Sequence, residues 1–214
     1  MLATYIVIGI IAYAIGSISF SVIFSKKFAG FDVRQKGSGN AGTTNMLRSV
    51  GKKAAIITLL LDILKGVVAI VVAIILGLVI SGVNKELLLQ IAGIAVVLGH
   101  TFPIFFKFKG GKGVATSLGI VLLTNWQIGL ICLVFALTLI ALTRMVSLGA
   151  VMVSILFPIL TIFINTNYTI LTEGKSGIDY LAYAILLAII VLFNHRANIK
   201  RILEGKENKI SFSK

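Results

Sequence analysis

The sequence is short of the residues on which most catalytic and metal-binding sites are built. It has one cysteine, two histidines, two prolines and seven acidic residues in 214. The lone Cys132 sits in an apolar run, where it reads as a small apolar filler and excludes an intramolecular disulfide. His100 and His195 are the only histidines, with no HExxH and no Cys/His cluster. That argues against a protein-held zinc ion. Asp32, Glu204 and Glu207 are the only carboxylates near the polar loops described below. They are too few and too scattered to hold paired magnesium ions, so paired-aspartate phosphotransferase chemistry is not supported. The composition gives no reason to expect a cofactor.

Charge is scarce as well. Only 13% of residues are charged, against about a quarter in soluble domains, and mean hydropathy is +1.06. Met1–Ser25 carries no charge, and Ala54–Asn84 carries only Asp62 and Lys65. Leu87–Phe106, Gly113–Thr143 and Met145–Thr172 contain no Asp, Glu, Lys or Arg. Apolar runs of this length read as membrane spans. The expectation is an all-α integral membrane protein forming a single membrane-embedded domain over residues 1–214. The first run lacks a preceding basic residue and an A-x-A site, so it reads as a retained span.

The run 113–143 is long enough for one tilted helix or for two short ones broken at Asn125-Trp126-Gln127. Two helices give seven spans, near 3–25, 54–80, 87–106, 114–125, 127–143, 146–165 and 179–194. With the N-terminus outside, 17 of the 20 basic residues then fall on one face, the exceptions being Lys65, Lys85 and Lys175. Basic short loops mark the cytoplasm. This favours seven spans, a short fourth one, an outside N-terminus and a cytoplasmic C-terminus. The outer loop 166–178 is the longest of the outer connections.

Three polar clusters lie on the basic face: "KGSGNAGTTNMLRSVGKK" (36–53), "GHTFPIFFKFKGGKGVATS" (99–117) and "NHRANIKRILEGKENK" (194–209), with "TRMVSLG" (143–149) as a shorter companion. Topology and anionic lipid account for many of the basic residues. They do not account for the glycines and hydroxyls among them, which suit close approach of an anion such as phosphate. The second cluster is not a Walker A loop, because Gly113 follows Gly111-Lys112 where Ser or Thr is required and Phe106 stands in the upstream glycine position. Asp62 and Lys65, three apart inside a span, can pair; they read either as a helix-locking pair or as functional groups. His100 reads as a capping or packing histidine, and His195 with Asn198, on one face of a polar helix, as a functional pair. A phosphate or lipid carrier is a rival reading, but it predicts internal repeats and polar groups on both faces, and neither is visible. A scaffold for anionic lipid predicts the basic residues without the Gly/Ser/Thr framework.

Together, "KGSGNAGTTNMLRSVG", "GHTFPIFFKFKGGKGVAT" and "NHRANIKRILEGKEN" resemble the motifs of the bacterial membrane acyl-phosphate:glycerol-3-phosphate acyltransferase family. "LDILKG" and "TRMVSLG" resemble further family segments, and the resemblance runs from residue 16 to about 208. It implies a multi-pass protein of the bacterial plasma membrane with its active site on the cytoplasmic face. The implied reaction moves a fatty acyl group from acyl-phosphate to the sn-1 hydroxyl of glycerol 3-phosphate, giving lysophosphatidate and inorganic phosphate. Its partners are those two substrates and membrane lipids, with no nucleic acid and no obligatory protein partner.

The residues suit that chemistry. Two phosphates bring about four negative charges at most, which Arg48, Lys109 and Lys112 can balance. Ser38, Gly39, Asn40, Thr44 and Ser147 supply small donors for phosphate oxygens. His195, Asn198 and Lys109 are the candidate catalytic residues. The His-x4-Asp pair of other glycerol-phosphate acyltransferases is missing, since Phe105 and Lys200 stand five positions after His100 and His195. Either His195 or a substrate phosphate oxygen then takes the hydroxyl proton.

Overall fold

The computed structural model describes residues 1–164 and 178–210. The outer loop noted above therefore lies almost wholly outside the described residues. Ten α-helices and no strands occur among the described residues. They are α1 (Leu2–Gly16), α2 (Phe20–Ala29), α3 (Thr43–Ser49), α4 (Lys52–Val79), α5 (Lys85–Thr101), α6 (Val114–Thr124), α7 (Trp126–Thr143), α8 (Val146–Phe163), α9 (Ile178–Asn194) and α10 (Arg196–Leu203). The chain divides into two compact units, Met1–Leu123 and Thr124–Lys214.

Among the described residues, five stretches are long and apolar enough to cross a membrane, and a sixth follows if α9 and α10, bent by 66°, count as one span. α6 has 11 residues, or about 16 Å of helix against a hydrocarbon core of about 30 Å. The helix expected as a short fourth span is thus present, and by length it is too short to cross alone. The break between α6 and α7 falls at Asn125, whose side chain accepts from Ile128 N at 3.2 Å and caps α7.

The first span departs from the uninterrupted 3–25 helix that hydropathy predicts. It breaks at Ser17–Ser19 into α1 and α2. The cause lies in another helix. Lys65 of α4 donates to the carbonyls of Gly16 (3.1 Å) and Ile18 (2.9 Å), replacing the helical donors those oxygens lack.

In the N-terminal unit, α1 and α5 run parallel. Asn84 N donates to the Tyr5 hydroxyl near the start of both helices, Gly9 lies beside Ile91, and Gly16 lies against the Val96 carbonyl. Gly99 packs in turn against the Tyr13 carbonyl, while Gly66 of α4 and Gly119 of α6 meet the backbones of Thr116 and Ile63. Lipid offers no hydrophobic drive for helices to associate, so close backbone approach at small residues is what holds them. Leu60, Leu64, Ile75 and Leu78 of α4 remain exposed, as a lipid-facing side requires. In the C-terminal unit α8 packs against α7, α9 and α10.

Candidate active site

After a single 3-10 turn at Val33–Gln35, the glycine-rich segment 36–42 has no helix or strand of its own. Asn45 replaces one. Its side-chain amide donates to the carbonyls of Val33 (2.9 Å), Lys36 (3.0 Å) and Asn40 (3.0 Å), and its oxygen accepts from Ser38 N (2.9 Å). Three carbonyl acceptors fix which end of the amide is nitrogen. Gly37 has φ +58°, and a Cβ there would run into the Asn45 oxygen, so only glycine fits. Ser38 and Gly39 stand exposed on the loop, Asn40 and Thr44 are half-buried, and Arg48 is exposed on the last turn of α3.

Asp32 and Arg34 join this loop to the next. Arg34 Nη2 lies 2.7 Å from Asp32 Oδ2, and its Nη1 donates to the carbonyls of Phe106 (2.6 Å) and Lys109 (3.0 Å). The turn so clamped contains Lys107 and Phe108, both with positive φ although neither is glycine. Such backbone persists only where the surroundings hold it, and here one guanidinium grips both ends. Hydrogen bonding to Arg34 holds the Asp32 carboxyl below its ordinary range. Lys109 projects from the end of this turn, exposed, and Lys112 follows, half-buried. The two loops also meet directly, since Gly111 leaves no room for a Cβ beside the Ala41 carbonyl.

In the C-terminal unit, His195 occupies the N-cap position of α10 and is buried. Its Nδ1 is 2.8 Å from the Val191 carbonyl. A carbonyl only accepts, so Nδ1 carries the proton and Nε2 of the neutral ring is the acceptor. Asn198, one turn on, donates to Glu207 Oε1 at 2.8 Å, and Arg201 Nε donates to Oε2 at 2.8 Å. The Ser147 hydroxyl lies beside the same carboxylate, close enough to lower its pKa though outside hydrogen-bond geometry. Burial pushes the Glu207 carboxyl up, but Asn198, Arg201 and Ser147 outweigh it and leave it below its ordinary value. Farther along, Ile210 N donates to the Arg144 carbonyl at 2.8 Å and ties the tail to the turn before α8.

The structure therefore places Ser38, Gly39, Asn40, Lys109 and Lys112 on two interlocked loops of one unit, with Thr44 and Arg48 on the adjoining α3, and gathers Ser147 and Asn198 around Glu207 in the other unit, where His195 caps the same helix, α10. Asn45, Asp32, Arg34 and Glu207 organise those groups and were not singled out from the sequence. Their signal was faint: an asparagine inside a motif already full of small polar residues, and acids in loops where acids are rare.

A family model described as Glycerol-3-phosphate acyltransferase matches residues 6–205. A glycerol-3-phosphate acyltransferase of Clostridioides difficile (strain 630) is 44% identical, the match covering 99% of this chain and 98% of the relative. One from Thermoanaerobacter sp. (strain X514) is also 44% identical, over 94% and 93%. Among solved structures, the glycerol 3-phosphate form of PlsY (YgiH), an integral membrane glycerol 3-phosphate acyltransferase, superposes with a TM-score of 0.81 at 34% identity, covering 97% of this chain and 96% of that one. A lysophosphatidic acid form of PlsY gives 0.80 at 32% identity. With its interlocked glycine loops and its His195–Asn198 helix lying inside the matched residues, the chain belongs to the glycerol-3-phosphate acyltransferase family.

Proposed function

We propose that the protein transfers a fatty acyl group from acyl-phosphate to the sn-1 hydroxyl of glycerol 3-phosphate, the first acylation of phospholipid synthesis. The observation that carries this reading is the Asn45-organised loop, with small donors at Ser38–Asn40 and Arg48 on the helix that follows, interlocked with the loop that bears Lys109 and Lys112. Such a surface suits phosphate groups, and both proposed substrates bring one. The solved PlsY structures in glycerol 3-phosphate and lysophosphatidic acid forms support the acceptor and the product class.

The donor is a mixed anhydride with a good leaving group, so no covalent enzyme intermediate is required. The sn-1 oxygen attacks the acyl carbonyl carbon, the bond from that carbon to the phosphate oxygen breaks, and inorganic phosphate leaves. The hydroxyl proton passes to a substrate phosphate oxygen. Arg48, Lys109 and Lys112 balance charge that would otherwise repel in a partly dry site. Asn198, oriented by Glu207, and His195, with Nδ1 committed to Val191, position glycerol 3-phosphate. Ser147 contributes a hydroxyl to the same region. The second mechanistic reading makes His195 Nε2 the base, which its tautomer permits.

We place the protein in the bacterial plasma membrane with seven spans, the N-terminus outside and the site on the cytoplasmic face. The parallel course of α1 and α5, with α4 between them in sequence, supports three successive crossings. The deciding assay gives the purified protein acyl-phosphate and glycerol 3-phosphate. Equimolar phosphate and lysophosphatidate are expected. Turnover with acyl-CoA or acyl carrier protein in place of acyl-phosphate would overturn the donor.

A further inference from the structure

Asp62 of α4 lies 2.9 Å from Lys65 Nζ and 3.6 Å from His100 Nδ1 of α5. The three side chains are 3, 3 and 7% exposed. Ionisable groups at such depth are costly and default to function. A pair that merely locks one helix would end at Asp62 and Lys65, but these contacts continue in two directions. Lys65 reaches the Gly16 and Ile18 carbonyls at the break in the first span. His100 reaches the lysine-bearing loop, where its carbonyl accepts from Gly111 N at 3.1 Å and the Thr101 carbonyl accepts from Gly110 N at 3.0 Å. The imidazole itself backs onto Gly111. A Cβ on that glycine would meet His100 Nε2 on one side and the Ala41 carbonyl on the other. His100 thus stands between a buried charge pair and the point where the two loops touch.

We propose that Asp62, Lys65 and His100 form a positioning device for those loops. Asp62 faces the Nδ1 edge of the imidazole as an opposite charge at 3.6 Å, the ring supports Gly111 against Ala41, and Lys112, the next residue, is presented at a fixed height. His100 is a positioning residue and touches no substrate. The inference rests on the reading of the Lys109–Lys112 loop as a phosphate site, but its structural half can be tested without that reading.

The test uses the full chain in detergent, with His100→Leu, His100→Gln and the double variant Asp62→Leu/Lys65→Met. The double variant removes both charges together, so no uncompensated ion is left buried. Two quantities are followed: kcat/KM in the phosphate-release assay, and the rate of tryptic cleavage after Lys109 relative to cleavage after the exposed Lys200 and Lys206. His100→Leu is expected to speed cleavage after Lys109 and to lower kcat/KM by roughly 10²-fold, chiefly through KM. His100→Gln, whose amide reaches the Nε2 position, should recover part of both. Parental cleavage and parental kcat/KM in His100→Leu would overturn the proposal, as would identical behaviour of Leu and Gln. Should His100→Leu fail to fold, the double variant decides: faster cleavage after Lys109 supports the device, and the parental rate overturns it. A parent protein inert towards acyl-phosphate would refute the donor and leave the trypsin comparison standing.

Discussion

Replacing Asn45 with Asp changes one atom group and almost no volume, so it isolates what the amide does. The aspartate keeps an oxygen for Ser38 N. It puts a second oxygen, bearing charge, where the amide nitrogen donated to Val33, Lys36 and Asn40. Two amide hydrogens serve those three carbonyls, so about two hydrogen bonds of about 1 kcal/mol each are lost, and the carbonyls lose a partner as well. A total near 3 kcal/mol against the ordered loop corresponds to roughly 10²-fold less of the competent conformation. Asn45→Ala leaves the carbonyls without a donor but introduces no repulsion, so it should be the milder change. The assay is phosphate release at saturating acyl-phosphate with glycerol 3-phosphate varied, together with a thermal melt. The expected order of kcat/KM is parent, then Asn45→Ala, then Asn45→Asp. An Asn45→Asp protein equal to the parent, or better than Asn45→Ala, would refute the view that the three carbonyls define this loop.

Arg48→Ala should lower kcat/KM by roughly 10²–10⁴-fold while leaving expression unchanged, because the guanidinium proposed to grip phosphate is lost; turnover near the parental rate would remove Arg48 from the site. His195→Gln should mainly raise KM for glycerol 3-phosphate, whereas a fall in kcat of about 10²-fold or more at unchanged KM would establish His195 as the base. The Glu207 carboxyl is held below its ordinary value of 4.5, so its contribution to stability is present above that pH and is lost as pH falls through the folded value. Thermal melts should therefore show Glu207→Gln less stable than the parent at pH 7 and the difference shrinking in acid; a constant difference would count against the network. Cysteine placed at Ser176 should react with an impermeant thiol reagent applied outside intact cells, and cysteine at Ser211 only after the cells are opened; labelling at Ser211 from outside would overturn the seven-span topology.

Much of the helical plan was readable because lipid demands long apolar runs and tolerates no unpaired backbone. The division of 113–143 at Asn125 came from counting basic residues by side, and the capping side chain of Asn125 bears it out. The break at Ser17–Ser19 was not readable, because hydropathy records composition and the cause is a lysine 49 residues downstream of Gly16. The motif residues Ser38, Arg48, Lys112 and His195 stood out by chemical type. The side chains that aim them did not. Asn45 hid among similar residues, Arg34 looked like one more topological charge, and Glu207 earns its place only through a chain reversal after α10. Pairings that depend on the path of the backbone leave no local periodicity to read.

The docking of Lys65 at the break in the first span has a consequence for biogenesis. As α1 enters the membrane, the carbonyls of Gly16 and Ile18 have no helical donor to complete them, and lipid provides none. Their partner is not synthesised until the ribosome has passed residue 65. The Val96 backbone that seats Gly16, and the Gly99 that packs against Tyr13 and Ser17, come later still. The first span is therefore complete in its hydrogen bonding only once α4 has been made.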